Sequence, residues 1–87
     1  MSQEYVIRTP DQVTPVLRGF RRLRQLNQEQ VATELGISQK SYSALELNAS
    51  RTSVARLMAA LAALDVELVL RDRRTGETVS AEQVREW

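Results

Sequence analysis

Gln39, Lys40 and Ser43 stand within five positions of one another, and their side chains are of the kinds that hydrogen-bond to nucleic-acid base edges. A glutamine amide pairs bidentately with adenine, a lysine ammonium reaches guanine O6 and N7, and a serine hydroxyl bonds to either. Ala44 beside them can meet a thymine methyl. All four residue types are also ordinary on a solvated helix face, and that reading stands beside the first. Hydrolytic and metal chemistry have no comparable set. The chain has no histidine, which removes the commonest general base, and no cysteine, which removes thiolate sites and disulfides. The expectation is a protein that is not an enzyme and needs no cofactor and no metal.

Side chains read bases only when a rigid element holds them, and the surrounding sequence supplies one. Asn27 is a helix N-cap ahead of Gln28 to Leu35, and Gly36 offers the left-handed residue that ends such a helix. Ser38 caps a further helix running to about Leu47. Two helices joined by a tight turn at Gly36 make a helix-turn-helix, with Ser38 opening the reading helix. Ala32 is small where the helices approach, Ile37 is expected to plug the interior, and Leu45 to return to the core. Before this unit, Thr9-Pro10-Asp11-Gln12 reads as a capping box with proline at the first helical position, opening a helix to about Gln25. Pro15 predicts a break or kink there. After it, Asn48-Ala49-Ser50-Arg51 is a turn, and Thr52 or Ser53 caps a helix. Its Val54, Leu57, Met58, Leu61 and Leu64 are expected to share one buried face.

The period changes after Asp65. Val66, Leu68, Val69 and Leu70 lie in a run of β-formers, read as one strand. A lone strand has no ladder, so pairing with its own copy across a two-fold axis is expected; folding back on the same chain is the other possibility. The fold class is therefore mainly α, a four- to five-helix bundle with one C-terminal strand. Residues 1–74 form the DNA-binding and dimerisation domain, and residues 75–87 a flexible C-terminal tail.

Net charge is only +1 over 87 residues, a weak argument for nucleic acid. Its distribution says more, because residues 1–74 hold eleven basic side chains against eight acidic ones. Arg18, Arg22 and Arg24 have two readings, phosphate contact or solvated charge. Arg51 and Thr52, with Asn48, follow the reading helix and are placed to meet the DNA backbone. The start of the chain shows no apolar run behind a basic cluster, and Leu57 to Leu64 is far short of a membrane span. A cytoplasmic protein with no membrane partner is expected.

The stretch LNQEQVATELGISQKSYSALE, Leu26 to Glu46, resembles the lambda-repressor-like, or Xre-type, helix-turn-helix family. It carries that family's Gln28, Ala32, Gly36, Ser38-Gln39 and Glu46, with Arg21 seven residues before Gln28. The resemblance implies an Arg21–Glu46 salt bridge, and a Gln28 that contacts phosphate and braces Gln39. It likewise implies base contacts from Gln39, Lys40 and Ser43, with Ser38 among the backbone-positioning residues. Two positions depart from the pattern. Tyr42 replaces an aliphatic core residue, and Asn48 replaces a loop glycine, which asparagine's tolerance of the left-handed region would excuse.

Across nearly the whole chain, from Thr9-Pro10 to the closing Glu86-Trp87, the sequence is similar to the HipB antitoxins. That resemblance implies a homodimer on palindromic operator DNA, repression of its own operon and binding of a HipA-type serine/threonine kinase toxin. It also implies that Trp87 docks on the toxin; a tryptophan at a chain end is otherwise an unordered residue. Two alternatives remain: a stand-alone Xre-type repressor without a toxin, and an interaction module that keeps the shape without using DNA.

Overall fold

The computed structural model describes residues 3–79. Thr9 is extended, and Pro10–Gln12 form a single 3-10 turn in which Gln12 Oε1 accepts the N–H groups of Arg8 (2.6 Å) and Thr9 (3.3 Å). Helix α1 follows directly over Val13–Leu23. Pro15 does not break it. It falls in the first turn, where the missing N–H costs nothing because such groups have no partner in the helix. The discontinuity lies earlier, at the 3-10 to α junction.

Helix α2, Gln28–Leu35, opens on a reciprocal box: Asn27 Oδ1 accepts from Gln30 N–H, and Gln30 Oε1 from Asn27 N–H, both at 2.8 Å. Helix α3, Gln39–Leu47, opens on Ser38, whose Oγ accepts Ser41 N–H at 3.0 Å. A 3-10 turn, Ala49–Arg51, leads to α4, Val54–Ala63, capped by Ser53 Oγ on Arg56 N–H at 3.1 Å.

Three helix ends share one device. Gly36 (φ +70°), Gln25 (φ +58°) and Asp65 (φ +58°) are left-handed. Each is followed by an apolar residue whose N–H reaches back to a carbonyl: Ile37 to Ala32, Leu26 to Arg21, Val66 to Leu61. The glycine is legible in the sequence; the other two sites use residues that carry a Cβ penalty there.

Leu17 and Phe20 of α1, Val31 and Ala32 of α2, Tyr42 of α3, Ala49, and Ala60, Leu61 and Leu64 form the core. Tyr5 closes one side by placing its ring edge-on to Phe20, with centroids 5.3 Å apart. Two core expectations are corrected. Ile37 sits on the rim and is exposed rather than plugging the interior, because its backbone closes the turn after Gly36. The α4 stripe is split: Leu61 and Leu64 are buried and Leu57 half-buried, while Val54 is 66% and Met58 52% exposed. Ala60, not part of the expected stripe, is fully buried.

Val66 packs against the core, but Leu68, Val69 and Leu70 are exposed, Leu70 at 79%. Among the described residues this segment pairs with nothing in its own chain, so the strand expected from its composition has no ladder there. The only bridge among the described residues is antiparallel, Arg71 with Thr78, around a turn in which Gly76 N–H bonds Asp72 O (2.7 Å) and Asp72 N–H bonds Glu77 O (2.8 Å). Among the described residues no helix is long and apolar enough to cross a membrane. Trp87 lies outside the described residues.

Candidate nucleic-acid interface

Helix α3 divides into two faces because 3.6 residues make a turn. Tyr42 and Glu46, four apart, are fully buried, and Leu45 packs half-buried beside them. The opposite row, Gln39, Lys40, Ser43 and Ala44, faces outward and lines one groove with Gln28 and Leu47. All four residues expected to read bases are thus on one surface. Leu47 was not foreseen, although its place four residues after Ser43 puts it on the same face.

The buried face is anchored by charge. Arg21 makes a two-pronged pair with Glu46, Nε to Oε2 and Nη2 to Oε1, each 3.0 Å. Arg18 Nε reaches Oε1 at 3.3 Å, and Gln28 Nε2 donates to the same oxygen at 3.3 Å. Arg21 Nη1 also donates to Leu26 O at 3.2 Å, tying α1 to the turn that leads into α2. Thr14 Oγ1 donates to Glu46 O at 2.6 Å and so fastens the last turn of α3 to α1. Burial raises the Glu46 carboxyl, but the Arg21 guanidinium, the Tyr42 hydroxyl and the Gln28 amide together hold it below its ordinary value. The Arg21 guanidinium is held above its own by the same pair, against the opposing effect of burial. Tyr42 Oη is buried and makes no hydrogen bond of good geometry, yet it lies close enough to Glu46 for burial and that charge to raise its pKa. The phenol therefore stays neutral and occupies the aliphatic position as core.

Several of these residues also carry contacts within the fold. The Gln28 amide is taken by Glu46, and among the described residues no hydrogen bond joins it to Gln39. Asn48 has φ −104°, so the loop needs no left-handed residue; its Nδ2 instead donates to Ala44 O at 3.0 Å, ending α3. Ser38 spends its hydroxyl on the cap and lines neither groove beside α3. Arg24, read as phosphate contact or free charge, places Nε on Leu64 O at 3.1 Å and closes the C-terminus of α4. Arg18 is a second cation on Glu46, three residues from Arg21 on α1; its spacing was the available signal, and it is paired rather than solvated. Asn48, Arg51 and Thr52 line a second groove, between α3 and α4. Among the described residues no cluster of acidic side chains could hold a metal ion.

A helix-turn-helix family profile matches residues 17–70. Among solved structures, a HipB–O1–O2 complex superposes with TM-score 0.71 at 25% identity, covering 79% of this chain and 100% of that one. A HipB–O4 20mer complex gives TM-score 0.71 at 24% identity, covering 80% of this chain and 99% of that one. A HipA–HipB–O2–O3 complex gives the same values: TM-score 0.71, 24% identity, and 80% and 99% coverage. No curated protein matches the chain.

Proposed function

The chain belongs to the helix-turn-helix family, and from that premise we propose that it is a non-enzymatic, sequence-specific DNA-binding repressor of the HipB antitoxin type. One observation carries the reading. The row Gln39, Lys40, Ser43 and Ala44 faces outward on a helix whose opposite side is fixed by the buried Glu46 and its partners. A major groove admits an α-helix, and these side chains match its donor and acceptor code. Gln39 pairs with adenine, Lys40 with guanine, Ser43 with either, and Ala44 meets a thymine methyl. Gln28, Asn48, Arg51 and Thr52 set the register on phosphates, with the N–H groups at Ser38 and the start of α3 beside them.

Two copies joined through Val66, Leu68, Val69 and Leu70 place two reading helices about 34 Å apart, one turn of duplex, so the operator is palindromic. Repression of its own operon and binding of a HipA-type kinase toxin, with Trp87 docking on it, complete the proposal. A solved assembly that joins HipB to both HipA and O2–O3 supports carrying these partners over. A stand-alone repressor uses the same DNA face and lacks only the toxin.

The test is a mobility-shift assay of the full chain on DNA from upstream of its own gene, beside co-purification with the product of the adjacent gene. A shifted, salt-sensitive complex and a co-purified kinase are expected. No shift on any duplex at low salt overturns the DNA reading. A shift without a co-purified partner reduces the protein to the stand-alone repressor.

A further inference from the structure

Helix α3 has a groove on each side, and Ala44 lines both. The groove toward α2 holds the base-reading row. The groove toward α4 is walled by Ser41, Asn48, Arg51, Thr52 and Arg56, and the rest of its lining is apolar. Arg51 comes from the 3-10 turn and Arg56 from the first turn of α4, so two different elements aim cations at one trough. Neither guanidinium pairs with a carboxylate among the described residues, and of the exposed arginines without such a partner these two alone line a groove beside α3. No acidic side chain among the described residues lines the groove. Arg56 was not singled out by the sequence, where it is one charge in an otherwise apolar helix.

We propose that Arg56 is a DNA-positioning residue that works with Arg51, the two gripping the sugar–phosphate strand that borders the major groove on the α4 side of the reading helix. The inference rests on the DNA-binding reading. A helix seated in a major groove has one backbone on either flank, and this trough is continuous with the base-reading surface through Ala44. The occupant must be anionic, because two guanidiniums with no carboxylate partner among the described residues face it. The trough's apolar floor suits deoxyribose. Arg56 therefore contributes affinity without base preference. The start of α4 adds its own positive end to the same strand.

The experiment measures the affinity of the full chain for a duplex it selects from a random-sequence pool, over a range of salt concentrations. Arg56→Gln is expected to lower the slope of log K against log salt by about one unit, and Arg51→Gln with Arg56→Gln by about two. Base preferences at every position stay unchanged. Arg73→Gln, on an exposed residue of the Asp72–Gly76 turn that lines neither groove, keeps the wild-type slope, and Arg56→Lys keeps most of it. Thermal melts confirm that each variant is folded. An Arg56→Gln slope equal to wild type overturns the role of Arg56 and leaves the DNA reading intact. A wild-type chain that selects no duplex overturns both.

Discussion

Glu46 is fully buried, and the placement of the reading helix depends on how its charge is met. Two arginines and a glutamine from α1 and α2 converge on a carboxylate at the inner face of α3. Removing one side of such a buried pair strands the other, so Arg21→Ala should cost about 3–5 kcal/mol in unfolding free energy. DNA binding would fall with it, although Arg21 does not touch DNA in this account. Protonation has a definite sign. The Glu46 carboxyl lies below its ordinary value in the folded chain, so the unfolded chain binds the proton more readily. Its stabilisation is complete above the ordinary glutamate value of about 4.3 and is lost as pH falls through the lower folded value. Chemical denaturation across this acid range should show a shallower pH dependence in Glu46→Gln than in the wild type. Equal slopes would mean that the cluster is not ionised as described.

At the scale of elements, the left-handed helix ends separate what the sequence declares from what it conceals. Gln25 holds φ +58° with a side chain, at a position where a glycine is at ease. Gln25→Gly should therefore stabilise the fold by about 0.5–1 kcal/mol in denaturant melts, and a loss of stability would count against the cap. Asn27, Ser38 and Gly36 were legible because each is the preferred residue for its cap, and they placed α2 and α3 correctly. Gln25 and Asp65 were not, because a glutamine rarely takes the left-handed region and an aspartate there is only one of several conformations its type allows. Apolar periodicity likewise gave α4 its helix but not its face: Ala60 is buried, whereas Val54 and Met58 point outward. The outward row of α3 could be read from spacing alone. Arg24 on Leu64 O and Arg56 in the second groove could not, since each depends on which helix lies opposite.

At the scale of the whole molecule, Leu68, Val69 and Leu70 are exposed on a segment that has no ladder among the described residues, and Val54 and Met58 of α4 are exposed as well. Unpaired apolar edges of this kind favour association, and a two-fold copy satisfies backbone and side chains together. Solution mass should therefore report a dimer. Leu68→Asp with Leu70→Asp should give a folded monomer with much weaker operator binding, whereas a wild-type monomer would rule out the strand-paired dimer. Duplication also explains how a few side chains per subunit can specify an operator, since each good base pair contact discriminates by about 1–3 kcal/mol.

The central claim is that the outward row of α3 reads bases, and a base-pair substitution scan with the wild type and Gln39→Ala tests it most directly. The account predicts that Gln39→Ala loses discrimination at one base pair in each half-site, by about 1–3 kcal/mol, and keeps the wild-type preferences elsewhere. Uniform weakening across every duplex, with no position relaxed, would contradict it.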